Sequence, residues 1–412
     1  MRISDPLQTT TDWLLLNNNI MKFFVNSLTR CAPRVGKLTE FERSPDVLFE
    51  TPLVLMYTKR GCVPHLTKDV LKRVTTQCHL LSISLPSTIT MEETLKELNV
   101  NFAEFVSMKE YLNFLSIQDP AETTPSGFQQ NDAVSIWSRT GRTLLTANKY
   151  MDLVETFRPD LYVALCDGDT DINSTSKRII KATSRSKTLI EQCIKRHNAS
   201  DKLKSKGILG AVEGGYDLKT REQSVKYLKD KPLAGYVIDG LHNNGPNVRS
   251  IPWEQVENVV QHTINLLPVD KLRVSLGCWH PLVTLELINL GVDILDSTYA
   301  YIATERSEAL IFMCDHGCCK SIGHTLVIGE KRYADDFSPI CQRCECLACK
   351  HHTRAYLHHL HVTKELLGMV LLTIHNTHHY LEFFNAIRKN IKSATFDQFR
   401  EKLKSKFSNE DL

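Results

Sequence analysis

The chain has 412 residues, the length of one large domain with a smaller companion. At 42% apolar and 24% charged residues it sits at the globular average, which excludes a fibre or a wholly disordered chain. Lys and Arg total 50 against 47 Asp and Glu, so a net charge of +3 excludes a globally basic nucleic-acid binder but not a local basic face. The longest apolar runs, at 13–16 and 366–374, are too short for a membrane span, and the first residues lack a charged-then-apolar leader pattern. A cytoplasmic protein is the expectation.

Residues 1–20 carry no clear periodicity and read as a flexible N-terminal extension, with Met21 opening the fold. Strand-like apolar runs then fall at 52–57, 133–137, 161–166, 208–212, 235–238, 272–276 and 292–295. Helix-period stretches lie between or after them, at 177–196, 221–229, 253–267 and 282–290. Strand, crossover helix, strand at this spacing implies a parallel sheet, and repetition over about 300 residues favours a closed (β/α)8 barrel. No Gly-x-Gly-x-x-Gly opens a helix, which disfavours a dinucleotide fold. The expected division is a barrel body over 21–313, a connection over 314–338, and a zinc-binding module with terminal helices over 339–412.

Acids and glycines follow five of these runs: Asp167, Glu213-Gly214-Gly215, Asp239-Gly240, Gly277 and Asp296. Any one of them is an ordinary turn. Repeated at the C-terminal ends of successive barrel strands, they mark a functional mouth.

Thirteen cysteines, an odd number in no framework spacing, argue against a disulfide scaffold and for reduced thiols. Cys344, Cys346 and Cys349 offer three soft ligands within six residues, enough to wrap one tetrahedral ion. Cys341 stands apart as a bystander. The fourth ligand is open, because His351, His352, His358, His359, His361, His375, His378 and His379 all follow. Structural zinc suits a Cys3His set. Lys350, Arg354, Arg388, Lys389, Lys392, Arg400, Lys402, Lys404 and Lys406 outnumber the nearby acids, a solvated face or a phosphate-binding one.

The stretch Cys344-Glu-Cys346-Leu-Ala-Cys349 with Arg354-Ala-Tyr-Leu-His-His-Leu360 resembles the zinc segment of the tRNA-guanine transglycosylase family. Leu371-Leu-Thr-Ile-His375-Asn376, Thr51-Pro52, Thr58, Leu66-Thr67 and Gly291-Val-Asp-Ile-Leu-Asp296 extend the likeness. The resemblance implies a (β/α)8 barrel with an inserted zinc module, one structural zinc per subunit, and His375 as the fourth ligand. It implies exchange of a tRNA base: an aspartate attacks the ribose C1′ and a second aspartate shuttles protons.

Here the family pattern is broken. Asp296 keeps the nucleophile position and Asp167 the base-reading acid, but Asp-Ser-Gly-Gly is replaced by Gln118-Asp119-Pro120-Ala121. Glu213 stands for the purine-reading Gln, and Asp239-Gly240-Leu241 for Gly-Gly-Leu. Four carboxylates at one mouth should raise each other's pKa and repel a purine. These departures imply a non-catalytic chain with Asp296 vestigial. Its partners would be a catalytic queuine tRNA-ribosyltransferase subunit in a heterodimer, tRNA, and in isolation a second copy of itself. The task would be exchange of the wobble guanine for queuine in tRNAs with GUN anticodons, with attachment to the mitochondrial outer membrane allowed. The alternatives are a stand-alone transglycosylase using Asp296 and a zinc-containing tRNA- or queuine-binding protein.

Overall fold

The computed structural model describes residues 21–27, 29–314 and 324–408. Eight short segments pair in parallel: Leu53–Tyr57 (β1), Leu80–Ser84 (β2), Leu112–Ser116 (β3), Leu161–Val163 (β4), Gly207–Val212 (β5), Gly235–Ile238 (β6), Leu272–Val274 (β7) and Ile294–Asp296 (β8). β8 lies beside β1, with Ile294 opposite Leu53 and Asp296 opposite Leu55, and this pairing closes the ring. Every residue of the eight strands is buried, as expected where side chains fill the barrel on one face and helices cover the other. The (β/α)8 barrel expected from the alternating pattern is present.

Helices follow the strands in turn: Lys68–Val74 (α1), Glu92–Leu98 (α2), Ala147–Phe157 (α3), Ser176–Ala199 (α4), Leu218–Leu228 (α5), Trp253–Leu266 (α6), Pro281–Asn289 (α7) and Thr298–Glu305 (α8). Several start on a side-chain cap: Thr146, Thr175 and Asp217 accept from the amides of Lys149, Arg178 and Thr220. These caps fix where each helix begins after its strand, and with it the length of each mouth loop.

Two features differ from the sequence expectation. β2 and β3 escaped notice because Ser82, Ser84 and Asn113 interrupt their apolar runs, and all three are buried. The run at 133–137 is no barrel strand. Ala133–Ser138 pairs antiparallel with Gly141–Thr146 in a hairpin between β3 and α3. Gly141, at φ +105°, takes a backbone conformation that suits glycine at the hairpin's end.

A small antiparallel sheet (Lys22–Val25, Gly36–Thr39, Phe49–Thr51) precedes the barrel. Beyond α8, Glu308–Leu310 pairs with Thr325–Val327, followed by Leu347–His351 (α9), Arg354–Val362 (α10), Leu366–Lys392 (α11) and Phe396–Ser408 (α12). The long α11 serves two cores. Leu371, Leu372 and Ile374 pack with Cys346 and Cys349, while Tyr380, Phe383 and Phe384 pack with Leu285 and Tyr299 of the barrel. One helix thus ties the cysteine cluster to the barrel wall. The expected N-terminal extension over 1–20 lies outside the described residues, and no described helix is long and apolar enough to cross a membrane.

Candidate metal centre and barrel mouth

Cys346 caps α9, its Sγ accepting from the Cys349 amide at 3.4 Å, so the first turn of that helix carries two of the three sulfurs. His375 arrives from α11. Its Nδ1 lies 3.8 Å from Cys344 Sγ, 3.5 Å from Cys346 Sγ and 3.3 Å from Cys349 Sγ. The opposite ring nitrogen, Nε2, lies 2.8 Å from the Leu310 carbonyl, which can only accept. Nε2 therefore carries the proton and Nδ1 presents its lone pair to the sulfurs, the way a backbone carbonyl behind an imidazole orients it toward a metal. Asn376 fixes the helix from the next position: its Oδ1 accepts from the Leu310 amide and its Nδ2 donates to Thr304 and Glu308. The four side chains can hold a metal ion.

The other histidines divide. His379, one turn along α11, accepts from the Met313 amide and packs on Phe312. His378 is half-buried and reaches toward Cys344. Cys341 stands outside the metal-ligand set, as expected, but it is disulfide-bonded to Cys314, 27 positions earlier, against the expectation of reduced thiols. Spacing carried no sign of that pair.

Most charges of the expected basic face already have protein partners. Lys406 is buried and donates to the carbonyls of Phe312 and Cys314. Arg400 and Lys404 pair with Glu286, Lys392 with Glu50, Lys350 with Glu345 and Arg354 with Asp336. Arg388 donates to the Pro52 carbonyl. Those on α11 and α12 seat the terminal helices against the barrel side of the molecule, whereas Lys350 and Arg354 pair locally around α9 and α10.

At the barrel mouth, Asp296 ends β8 and is 2% exposed. One oxygen accepts from the Gly277 amide at 2.7 Å and the other from the Thr298 amide at 2.8 Å. Burial pushes its pKa up to about 6 against the pull of those hydrogen bonds, and Asp119 raises it further. Asp119 is itself buried and committed. It accepts from Tyr57 Oη at 3.0 Å, Ser84 Oγ at 2.8 Å and the Ala121 amide at 3.0 Å.

Across the mouth, Asp167 is gripped by two guanidinia from α4, Arg178 and Arg185. Arg178 also pairs with Asp169 at 3.3 Å. Glu213, following β5, is 0% exposed, and neither carboxylate oxygen has a hydrogen-bond partner. Its pKa stands well above the usual range, through burial first and then through Asp239 and Asp167. Asp239 Oδ2 lies against Cys166 Sγ at 3.6 Å. The expected crowding is therefore real for Glu213, but burial exceeds repulsion as its cause. The carboxylate that bears on Asp296 is Asp119.

Residues 30–409 match the family model described as queuine tRNA-ribosyltransferase. The chain belongs to that family. It is 39% identical over 387 residues to a protein of Aedes aegypti, covering 93% of this chain and 92% of the relative, which bears the name queuine tRNA-ribosyltransferase accessory subunit 2. Proteins of the same name from Culex quinquefasciatus (40% identical, 91% and 89% covered) and Drosophila mojavensis (37%, 90% and 89%) are also similar.

Within the family frame, the sequence reading missed the arginines. Arg178 and Arg185 are seven residues apart, two turns along one face of α4, and that face is turned to the strand end carrying Asp167. The spacing was visible; the direction of the face was not. Arg221 was missed for the same reason. It is fully buried, and its Nε, Nη1 and Nη2 donate to the carbonyls of Gly215, Val212 and Asp239.

Asp296 gives the mouth a measurable pH dependence. Its folded pKa near 6 exceeds the ~4 of an exposed aspartate, so the folded protein holds this proton more tightly than the unfolded chain. The associated stability is complete below about pH 4 and is lost as pH rises through about 6. Relative to Asp296→Asn, the protein should lose on the order of 3 kcal/mol between pH 4 and pH 7. Denaturant melts of both across that range test this, and a stability difference that stays flat with pH overturns it.

Proposed function

We propose that this chain is the non-catalytic accessory subunit of a heteromeric queuine tRNA-ribosyltransferase, which exchanges the wobble guanine for queuine in tRNAs with GUN anticodons. The observation that carries the reading is the state of Asp167. A carboxylate that reads a purine edge must offer free oxygens, whereas here both are held by Arg178 and Arg185. Two further features support it. Asp119 is tied down by Tyr57, Ser84 and Ala121 rather than free to move a proton, and Asp239 packs where the family has glycine. An isolated carboxylate at Asp296 lacks the base orientation and acid–base help that displacement of guanine needs, a loss on the order of 10²–10⁴ in rate for the acid–base part alone.

The metal is zinc in this reading, held by Cys344, Cys346, Cys349 and His375. A tetrahedral ion with Zn–S about 2.3 Å and Zn–N about 2.0 Å sets S···N edges of about 3.6 Å. The three separations of 3.3, 3.5 and 3.8 Å bracket that value. Bound there, the ion supplies folding free energy to the module rather than chemistry.

The catalytic partner would dock on the module. Phe337, Val362, Leu366 and Leu367 are large apolar side chains left exposed around α10 and the start of α11, as on surfaces built to be covered. The retained Asp296, with two amide donors, favours the second reading, a stand-alone transglycosylase.

One experiment separates them: radiolabelled guanine exchange into tRNA by this chain, by the catalytic relative and by both together. The chain alone should give no exchange, and Asp296→Asn in it should leave the rate of the pair within about twofold. Leu366→Glu with Leu367→Glu should abolish co-purification with the catalytic subunit and lower exchange with it. Exchange by the chain alone, or its loss on Asp296→Asn, would establish the second reading instead.

A further inference from the structure

The end of the barrel mouth formed by β4, β5 and β6 holds a set of groups that base exchange does not account for. Each of these three neighbouring strands delivers one side chain just past its C-terminal end: Cys166, Glu213 and Asp239. The thiol and the two carboxylates place one ligand atom each within 4.8 Å of one another. We propose that they bind a second divalent cation of the zinc class, separate from the Cys344–His375 centre.

Geometry and solvation both support this. The 3.6 Å between Cys166 Sγ and Asp239 Oδ2 equals the S···O edge, about 3.6 Å, of a tetrahedral ion with Zn–S near 2.3 Å and Zn–O near 2.1 Å. Glu213 is fully buried with both oxygens unpartnered. An ionised carboxylate in that state is costly, and buried charges are ordinarily paired or coordinated. The nearby guanidinia do not pair with it. Arg178 and Arg185 are committed to Asp167, and Arg221 to three backbone carbonyls.

The backbone is shaped around the same groups. Gly240 sits at φ +73°, and a Cβ there would come 2.8 Å from Glu213 Oε2 and 2.6 Å from Thr170 Oγ1. A Cβ on Gly168 would come 2.6 Å from Asp239 Oδ2. Any larger residue at either glycine would force the carboxylates out of place.

A cavity of about 60 Å³ opens on Cys166 and Asp239 and reaches Asp169 and Asn243. Asp169 Oδ1 and Asn243 Oδ1 are likewise buried without partners, so the side away from the strands is polar and roomy enough for a fourth, exchangeable ligand. Zinc accepts this mixed S and O donor set.

This site goes beyond the accessory reading and does not depend on it. The test is metal content per full-length chain, measured by mass spectrometry after zinc loading and gel filtration. The protein should hold two zinc ions, Cys166→Ser one and Cys346→Ser one. Glu213→Gln, nearly isosteric, should also hold one and retain the parent circular dichroism, which covers a misfolded Cys166→Ser. Cobalt loading of Cys346→Ser should give a thiolate-to-cobalt charge-transfer band that disappears when Cys166→Ser is added. One zinc in the parent and none in Cys346→Ser would overturn the mouth site, as would two retained in both Cys166→Ser and Glu213→Gln. One zinc in the parent that persists in Cys346→Ser would uphold the mouth site and instead remove the cysteine centre.

Discussion

Cys346→Ser should release one zinc ion per chain and unfold the module around α9 and α10 at a temperature where the barrel still stands. Cys346 is both a proposed ligand and the N-cap of α9, and it is 4% exposed. Serine can still cap but is a far poorer zinc ligand than a thiolate. Structural zinc sites carry on the order of 10 kcal/mol of apparent binding free energy near neutral pH, and that energy is folding energy because the unfolded chain holds no such site. Loss of the ion also leaves Cys349 and the fully buried His375 facing each other without it. Thermal melts, zinc content and limited proteolysis should change together, with new cleavage in the segment that follows Tyr333. Full zinc with unchanged melting would dismiss the assignment. The parallel substitution His378→Ala should leave the zinc in place, because it is His375 Nδ1 that lies within 3.8 Å of all three sulfurs.

Asp167→Asn should destabilise the barrel by about 3–5 kcal/mol, the cost of removing one partner from a buried ion pair. Arg185 has a side chain only 3% exposed, and Asp167 is 0% exposed. Asparagine leaves that guanidinium facing a neutral amide in a desolvated site, and Arg178 loses its strongest anchor. For a chain of this size the melting temperature should fall by about 4–6 °C. The outcome bears on function as well as stability. A structural Asp167 predicts a stability loss, with queuine incorporation by the complex reduced only in proportion to folded protein. A base-reading Asp167 predicts the reverse: near-parent melting with exchange abolished. The second result would remove the main support for the accessory reading.

Legibility in the sequence followed the range of the interactions. Six of the eight barrel strands show as apolar runs because each is buried on both faces and flanked by turn residues, as at Gly235–Ile238 before Asp239. β2 and β3 were hidden because buried Ser82, Ser84 and Asn113 interrupt their apolar runs, and the partner that satisfies Ser84 Oγ, Asp119, lies 35 positions away, outside any local window. The hairpin at 133–146 has the composition of a barrel strand, and only its pairing partner distinguishes it.

The same division holds at the sites. Cys344, Cys346 and Cys349 fall within six residues, so their convergence is a local matter of one cap and one helical turn. The choice among eight histidines was not local. It rests on the rotation of α11, which turns His375 to the sulfurs and His379, four residues on, to the Met313 amide. Asp296 at the end of β8 was visible from its place after a strand. The arginine pair on Asp167, the Cys314–Cys341 disulfide and the unpartnered state of Glu213 were decided by tertiary structure alone. Each joins or isolates groups 11 or more positions apart, and which of them meet depends on helix rotation, loop length and the closing of the barrel rather than on any spacing along the chain.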